Sequence, residues 1–237
     1  AADSTTNWTP LNPIERRVLG VLVEKQKTTD TYPLTLNSVV TGSNQKSNRD
    51  PAMELDELEV EEALGLVQKQ LLVTRIVSGR VDKFRHNLYD AWKVNSVEIS
   101  IVAELLLRGP QTEGELRARA SRMEDIADVD ALRQALAPLK ERGLVVYLTP
   151  EGRRGTVLTH GFHEAHELER LRKYHSSQPL DATPEPSTST PFPTPRPDAT
   201  AGQFAQLSRS VEELREEVAR LSAVVQQLQK ELGIGPN

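Results

Sequence analysis

The spacing of apolar residues predicts three helices in the first part of the chain. Asn12 is the expected N-cap of the first helix and Pro13 its first residue. The buried face of this helix is expected to comprise Ile14, Val18, Leu19, Leu22 and Val23. A second helix is predicted over residues 34–42, because Tyr32-Pro33 breaks the chain before it, and a third over residues 57–70. The apolar side of the third helix is expected to comprise Leu58, Ala63, Leu64 and Val67.

A β-hairpin is expected after the third helix, and the whole unit then recurs. Strands are predicted over residues 72–77 and 81–88, around a turn in which Gly79 permits a positive φ. Residues 64–73 align with residues 136–145, which places a second copy of the unit in the second half of the chain. The elements of this second copy are expected near residues 97–108, 112–120, 128–142, 144–159 and 162–174.

This repetition predicts the fold class and the domain organisation. A helix–helix–helix–hairpin unit used twice is the plan of a tandem winged helix, a mainly α fold with small β-hairpins (α+β). The two winged-helix domains are expected over residues 11–95 and 96–175. Residues 176–203 are rich in Pro, Ser and Thr, which is typical of a disordered, extended linker. Residues 204–233 are expected to form a coiled-coil helix.

The coiled-coil prediction depends on a seam of apolar residues at alternating three- and four-residue intervals. Valine dominates the a positions of these heptads and leucine the d positions, a combination that favours parallel two-stranded coils. A homodimer is therefore expected, and packing of this helix on the rest of the chain is the alternative. The seam comprises Phe204, Leu207, Val211, Leu214, Val218, Leu221, Val225, Leu228 and Leu232.

Charge and composition exclude several classes of function. The net charge is −5, and residues 11–93 hold 12 basic and 12 acidic side chains, so any nucleic-acid contact must come from a local patch. The chain has no cysteine, which excludes a disulfide framework and a thiol nucleophile and fits a cytoplasmic protein. No apolar run approaches the length of a membrane span, and no signal peptide is expected. Because nothing resembles a catalytic constellation, we expect a protein that is not an enzyme and needs no cofactor.

Basic clusters are the candidate nucleic-acid-binding sites. They lie in the polar loop between the second and third helices, in the two hairpins, and at the end of the second helix of the second copy. The candidate residues are Lys46, Asn48, Arg49, Arg80, Lys83, Arg85, Arg117, Arg119, Arg122, Arg153 and Arg154. The alternative is that these side chains are ordinary solvated charges, or that the loop residues stabilise their own loop.

The third helix of the first copy argues against insertion into a DNA groove. In many winged helices this helix enters the major groove. Here its N-terminal half is acidic and would repel a polyanion, through Glu54, Asp56, Glu57, Glu59, Glu61 and Glu62. Part of this acidity is good helix chemistry, because carboxylates favour a helix N-terminus.

The histidines His160, His163 and His166 recur at three-residue intervals and form the one candidate metal site. One helical turn cannot direct all three rings at a common metal ion, although His163 and Glu167 could share a helix face. We therefore expect no metal site.

Several segments resemble the YceH-like family of uncharacterised bacterial proteins. They are residues 15–26 (ERRVLGVLVEKQ), 32–37 (YPLTLN), 44–51 (NQKSNRDP), 83–86 (KFRH), 105–112 (LLLRGPQT) and 116–123 (LRARASRM). The resemblance covers residues 11–160 and implies two winged-helix domains, but it implies no reaction, ligand or partner. The linker and the heptad segment look like an addition beyond this family body.

Two hypotheses for function follow. The first is weak DNA binding in a regulatory role, through the basic hairpins and residues 46–49. The alternative is a protein–protein docking module in a larger assembly, such as one associated with the chromosome, which the acidic third helix favours. A small-molecule sensor is a more distant possibility.

Overall fold

The computed structural model describes residues 8–77, 81–153 and 155–177. The first copy of the repeated unit comprises α1 (Pro13–Thr28), β1 (Leu34–Thr35), α2 (Leu36–Ser43), α3 (Glu57–Lys69), β2 (Val73–Ile76), β3 (Lys83–His86) and α4 (Leu88–Trp92). The second copy comprises α5 (Ser96–Arg108), β4 (Gln111–Thr112), α6 (Glu113–Ala120), α7 (Val129–Glu141), β5 (Val145–Tyr147), β6 (Val157–His160) and α8 (Ala165–Ser176). The fold is therefore α+β, and the predicted repeat of helices and hairpins is present in it.

Each copy contains one small antiparallel sheet. The first sheet has the strand order β1-β3-β2, and the second has the matching order β4-β6-β5. In the first sheet Val73 pairs with His86, and in the second Val145 pairs with His160. The two hairpins therefore have the same register at their base. This arrangement is consistent with a winged helix in each copy.

The helices begin where their capping residues predict. The Asn12 side chain accepts hydrogen bonds from the backbone N–H groups of Ile14 and Glu15, and Glu15 completes a capping box. Asn95 forms the equivalent capping box at the start of α5, with Glu98 as its partner. The prediction that the first helix starts at Asn12 and Pro13 is confirmed. Such caps typically contribute about 1 kcal/mol each.

The two copies share one hydrophobic core, built around the contact between α1 and α5. Gly20 of α1 lies against Leu107 of α5, and a Cβ atom at Gly20 would stand 2.7 Å from the Leu107 Cγ atom. Leu19, Leu22, Ile101 and Leu105 are fully buried nearby in the same core. The predicted boundary between residues 11–95 and 96–175 therefore divides the chain but not the core. That boundary stays a prediction.

Four details of the predicted elements are wrong. The second helix begins at Leu36, because Leu34 and Thr35 pair with β3 as a short strand. The helix predicted over residues 162–174 instead spans Ala165–Ser176, and the short helix α4 was not predicted. Leu58 is 64% exposed, while Val60 takes its place in the core with Ala63, Leu64 and Val67.

The C-terminal predictions cannot be compared with these elements. The linker over residues 176–203, apart from residues 176 and 177, lies outside the described residues, as does the coiled-coil helix over residues 204–233. Within the described residues, no helix is both long enough and apolar enough to span a bilayer.

Candidate functional site

The loop between α2 and α3 was a candidate nucleic-acid contact, but its arginine is part of the interior. The Arg49 side chain has no exposed surface, and its Nη2 atom lies 2.6 Å from the Glu24 Oε2 atom. Its Nε–H donates to the Gly42 carbonyl at 3.0 Å, and Nη2 donates to Gln45 at 3.1 Å. Arg49 therefore holds the loop against α1, which favours the structural interpretation of this residue, and nucleic-acid binding through it stays a prediction.

The other two candidates of this loop differ from each other. The Asn48 side-chain oxygen accepts a hydrogen bond from Arg108 at 2.6 Å, which joins the loop of the first copy to α5 of the second. Lys46 is exposed, at the outer side of the loop. Of the three loop residues, Lys46 is exposed, Asn48 is half-buried and Arg49 is buried.

The three arginines near the end of α6 are also engaged within the protein. Arg117 donates to the Ile126 carbonyl at 3.2 Å, and Arg119 donates to Gln111 at 2.8 Å. Arg122 donates to Glu104 at 3.2 Å, and Glu104 is fully buried. Arg117 thus joins α6 to the α6–α7 connection, Arg119 joins α6 to β4, and Arg122 joins the connection to α5. The three side chains are partly exposed, but their guanidinium groups already have acceptors, which favours the structural interpretation of this cluster.

The first hairpin carries two accessible candidates. Lys83 and Arg85 are exposed on β3, and neither forms an ion pair within the described residues. Phe84 and His86 alternate with them and face the core. In the second hairpin Arg153 is exposed. Arg80 and Arg154, like the seam residues 204–232, lie outside the described residues.

The exposed side of α3 and its C-terminus combine large apolar residues with carboxylates. Leu58 is 64% exposed, Leu66 is 42% exposed, and Leu71, just after the helix, is 76% exposed. Glu61 and Glu62 are exposed on the same side of the helix. We call these five residues the α3 face. Single exposed leucines are ordinary, but a group of large apolar residues on one element is typical of a binding surface.

The acidity of this region extends beyond the α3 face. Glu54, Asp56, Glu57 and Glu59 are exposed before and within the first turn of the helix. Asp56 and Glu59 form a capping box, so two of these carboxylates have a local structural role. Glu61 lies 3.9 Å from Arg75, and the other carboxylates place net negative charge beside the leucines. A phosphate backbone would be repelled here, whereas a positively charged partner would be attracted.

Leu71 has an unusual backbone conformation. Its φ is +61°, in the left-handed region that residues with a side chain enter at a cost of about 1–2 kcal/mol. The equivalent residue of the second copy is Gly143, whose φ is +71° and which has no Cβ atom to clash. The first copy therefore has a large, exposed apolar side chain at a position where the second copy has glycine, which adopts this conformation without strain.

The histidines at the end of β6 belong to a buried polar cluster. The rings of His160 and His163 stack with their centroids 3.9 Å apart, and burial lowers the pKa of both imidazoles. His163 Nδ1 lies 3.0 Å from Glu167, and Glu167 also accepts a hydrogen bond from Arg16 at 2.8 Å. Burial opposes ionisation of Glu167, but the hydrogen bonds from Arg16 and His163 lower its pKa to about 2. The cluster joins α8 to α1.

This cluster does not form a metal site. His166 is exposed, whereas the two stacked rings are buried. Among the residues of known placement, no group of three or more His, Asp or Glu side chains could hold a metal ion.

A cleft of about 210 Å³ lies beside the cluster, between α1, α5 and α8. Its most notable member is Arg17, which is fully buried and donates to the carbonyls of Ser43 at 2.8 Å and Pro51 at 2.6 Å. Burial and the neighbouring Arg49 lower the pKa of Arg17 to about 10. Arg17 thus stabilises the chain between α2 and α3 through hydrogen bonds from the interior. Its side chain has no exposed surface that a ligand could contact.

The described residues define a class of protein: an α+β body made of two copies of one helical unit, with an acidic α3 face and an exposed basic hairpin. The chain belongs to the family described as protein of unknown function, DUF480, whose model matches residues 11–154. This finding confirms the resemblance to a family of uncharacterised bacterial proteins.

Individual relatives support the same assignment. A UPF0502 protein of Rhodopirellula baltica is 43% identical over 197 residues, which cover 81% of this chain and 83% of the relative. One of Geobacter sulfurreducens is 54% identical over 134 residues, covering 56% of this chain and 61% of the relative. One of Polaromonas naphthalenivorans is 36% identical over 237 residues, covering 94% of this chain and 97% of the relative. The last alignment leaves out only 6% of the 237 residues, about 14, so the similarity continues into the heptad segment.

Proposed function

We propose that the protein is a non-enzymatic tandem winged-helix module that docks onto another protein through the α3 face. The partner segment is expected to present apolar side chains flanked by lysine or arginine. The observation that carries this proposal is the exposure of Leu58, Leu66 and Leu71 within an acidic surround. In winged helices that read DNA, the corresponding helix enters the major groove. An apolar and acidic helix is suited to a basic protein surface instead.

The conformation of Leu71 supports the same interpretation. Residues held in a sparsely populated backbone region are often retained for function. Burial of three leucine-sized side chains by a partner removes a substantial apolar area from water, at about 25 cal/mol per Å². The carboxylates at the edge, Glu61 and Glu62, would then select partners of positive charge. This division between an apolar centre and a charged edge is the usual anatomy of a protein–protein interface.

Site-specific photo-crosslinking of the full-length chain in its native host tests the proposal. A photoreactive amino acid replaces Leu66 on α3 in one variant and Ala137 on α7 in the other. Both positions are exposed, and they face outward from equivalent helices. We expect position 66 to capture one discrete protein band that survives nuclease treatment, and position 137 to capture none.

Two further results complete this test. Leu58→Ser, introduced beside the photoreactive residue, should reduce the captured band at least fivefold, because it removes apolar contact area from the same face. Capture of nucleic acid at position 66 would contradict the proposal, and so would identical bands from positions 66 and 137.

DNA binding is the second candidate function, and a specific observation favours it. Lys83 and Arg85 lie side by side on the exposed face of β3, where the hairpin of a winged helix can contact phosphates. Lys46 and Arg153 are the other accessible candidates. A fluorescence anisotropy titration of a labelled duplex at several salt concentrations tests this function.

The double variant Lys83→Ala/Arg85→Ala is the informative one in this titration. Loss of two phosphate contacts should make the slope of log K against log salt shallower by about 2, since each contact contributes roughly 0.9. Arg170→Ala/Lys173→Ala removes the same charge from the exposed side of α8 and serves as the control. An equal change in both variants, or no binding by the wild-type chain at low salt, would exclude a specific role for the hairpin.

A further inference from the structure

A helix of the same chain covers the outer side of the second sheet. Val146 and Leu148 form a small apolar cluster with Leu168 of α8, separate from the main core. Val157 of β6 and Leu171 of α8 pack against this cluster. The outer side of a sheet in this repeated unit is therefore a surface on which an amphipathic helix can lie.

The equivalent side of the first sheet carries two exposed cations. Thr74 pairs with Arg85 and Ile76 pairs with Lys83 across the two strands, and the shared register makes these residues equivalent to the covered side of the second sheet. We call Thr74, Ile76, Lys83 and Arg85 the outer face of the first sheet. Within the described residues, neither cation forms an ion pair. The outer face therefore presents net positive charge.

The α3 face and its surroundings have the opposite charge. Six carboxylates are exposed before or on α3, whereas Lys69 is the one exposed cation of the helix. The carboxylates are Glu54, Asp56, Glu57, Glu59, Glu61 and Glu62. Arg75 of β2 lies 3.9 Å from Glu61, but it is itself paired with Asp82 at 2.5 Å. The exposed leucines of α3 thus lie in a negative surround that complements the outer face of the first sheet.

Gly65 provides a steric observation that is independent of charge. Leu58, Glu62 and Gly65 follow one another along one side of α3. Glycine in the middle of a helix is destabilising relative to alanine. Gly20 and Gly42 are required internally, since a Cβ atom at either would stand 2.7 Å from a buried side chain. A Cβ atom at Gly65 would have no atom of the described residues within 4 Å, so internal packing does not require glycine there.

The second copy has a side chain at this position, because Ala137 of α7 is equivalent to Gly65. Gly114 also has open space beside it, but it lies in the first turn of α6 and not in a helix interior. The missing side chain at Gly65 allows another backbone to approach α3 closely, beside Leu58 and Leu66.

We propose that the α3 face docks on the outer face of the first sheet of a second copy of this chain, with Gly65 at the point of closest approach. This inference rests on the proposed function, because it names the partner of the α3 face. The exposed leucines of one copy then meet Ile76 of the other, and the carboxylates of α3 meet Lys83 and Arg85. The contact places a helix on the first sheet, as α8 lies on the second. It also covers the two cations that DNA binding through the hairpin would need.

Photo-crosslinking between two purified full-length chains tests this docking. The donor chain carries the photoreactive amino acid at position 66, or at position 137 as the matched control. The acceptor chain is labelled with a heavy isotope, so that mass spectrometry identifies products that join two chains. We expect position 66 to crosslink to residues 73–86 of the acceptor at least fivefold more than position 137 does. Association through any other segment would bring both positions near the acceptor, so this ratio reports on the α3 face.

Charge reversal in each chain tests the complementarity. Glu61→Lys/Glu62→Lys in the donor, or Lys83→Glu/Arg85→Glu in the acceptor, should reduce the crosslink from position 66 at least fivefold. The two changes together should restore it, because the opposite charges then face each other again.

Gly65→Ala in the donor tests the close approach. The added methyl group should raise the midpoint of thermal unfolding, since alanine favours the helix, but it should reduce the crosslink because it holds the second backbone away. A gain in stability with undiminished crosslinking would overturn the role of Gly65.

Equal crosslinking from positions 66 and 137 would overturn the docking itself, and so would reversed charges that fail to restore the crosslink when combined. In the native host, a band from position 66 that contains a different protein and no second copy would overturn this inference but leave the proposed function intact. The absence of any protein band from position 66 would contradict both.

Discussion

The third helix of each copy, α3 and α7, has the same length and the same place in its unit, but the two helices present different surfaces. Buried positions agree: Leu64 of α3 corresponds to Leu136 of α7, and both are in the core. Exposed positions do not agree. Leu58 corresponds to Asp130, and Glu61 corresponds to Arg133, which pairs with Glu113 at 2.8 Å.

The outer faces of the two sheets differ in the same way. The second copy covers its sheet with α8, whereas among the described residues Lys83 and Arg85 are exposed on the corresponding face of the first sheet. The duplicated unit has therefore kept the residues that make the core and changed those that meet solvent. This difference is the basis on which we propose partner binding through the first copy, while the equivalent residues of the second copy pack within the chain. Four substitution experiments can break or sharpen it.

Removal of Arg49 is expected to have the largest effect. Arg49→Met would leave Glu24 buried without its closest cation, a change that typically costs about 3–5 kcal/mol. Arg122→Met, in the second copy, removes a partly exposed cation from Glu104 and should cost about 1 kcal/mol. Lys46→Met, on the exposed side of the Arg49 loop, should stay within about 0.5 kcal/mol of wild type. Urea unfolding of the full chain measures all three, and a loss below 1 kcal/mol for Arg49→Met would refute the structural role.

The equivalent histidines His86 and His160 should make stability dependent on pH. Burial, with a contribution from Lys27, lowers the pKa of His86 to about 4, and burial also lowers the pKa of His160. Because the imidazole pKa is lower in the folded state than in the unfolded state, the unfolded chain binds protons at a higher pH than the folded chain does. Stability is therefore full above pH 6.5 and falls as the pH decreases toward 4, by up to roughly 1.4 kcal/mol per pH unit for each group.

His86→Gln should reduce this pH dependence, because a neutral amide can still contact Gln26, which lies 2.7 Å from the imidazole Nε2 atom. Unfolding between pH 7 and pH 5 is the appropriate measurement, since Glu167, with a pKa of about 2, stays ionised over that range. If the two histidines are equivalent, His160→Gln reduces the slope similarly. An unchanged slope in both variants would show that neither imidazole is held neutral by burial.

Loss of the helix cover should distinguish the two sheets. Leu168→Ala removes apolar contacts to Val146 and Leu148, and we expect a cost of about 2 kcal/mol, at the low end for leucine because the cluster is small. Ile76→Ala, on the outer face of the first sheet, should cost less than about 1 kcal/mol in a chain truncated after residue 177. Thermal unfolding of both variants in that truncated chain provides the comparison. Equal losses would mean that the two faces are equally buried.

Local signals in the sequence predicted much of this architecture. Contacts between residues that lie far apart in the sequence could not be predicted from such signals. Asn12 and Pro13 fix the start of α1 through short-range capping, and such rules do not need the tertiary structure. Leu58 was misplaced because helical spacing allows two overlapping faces, although Val60, Ala63, Leu64 and Val67 form the more regular series. That regularity was the signal that could have corrected the prediction.

The candidate site was predicted less well for a physical reason. A basic residue in a polar loop looks the same in sequence whether it meets a phosphate or a buried carboxylate. Arg49 lies 25 residues from Glu24, and no local pattern connects them. Lys83 and Arg85 were recognised only as basic residues of the expected hairpin, although strand alternation could also have predicted that both point away from Phe84 and His86. The apolar part of the α3 face was missed, since its leucines were assigned to the core or left unassigned.

The substitution with the smallest expected effect on stability concerns Leu71, the position where the first copy has leucine and the second has Gly143. Leu71→Gly relieves left-handed strain but adds freedom to the unfolded chain, so we expect a net stabilisation of about 0.5–1 kcal/mol. Gly143→Ala, the reverse change in the second copy, should destabilise by about 1 kcal/mol. If the α3 face docks a partner, Leu71→Gly should also weaken photo-crosslinking from position 66, since a contact is lost while stability rises. A stabilised variant with undiminished crosslinking would show that the strain at Leu71 serves no interface.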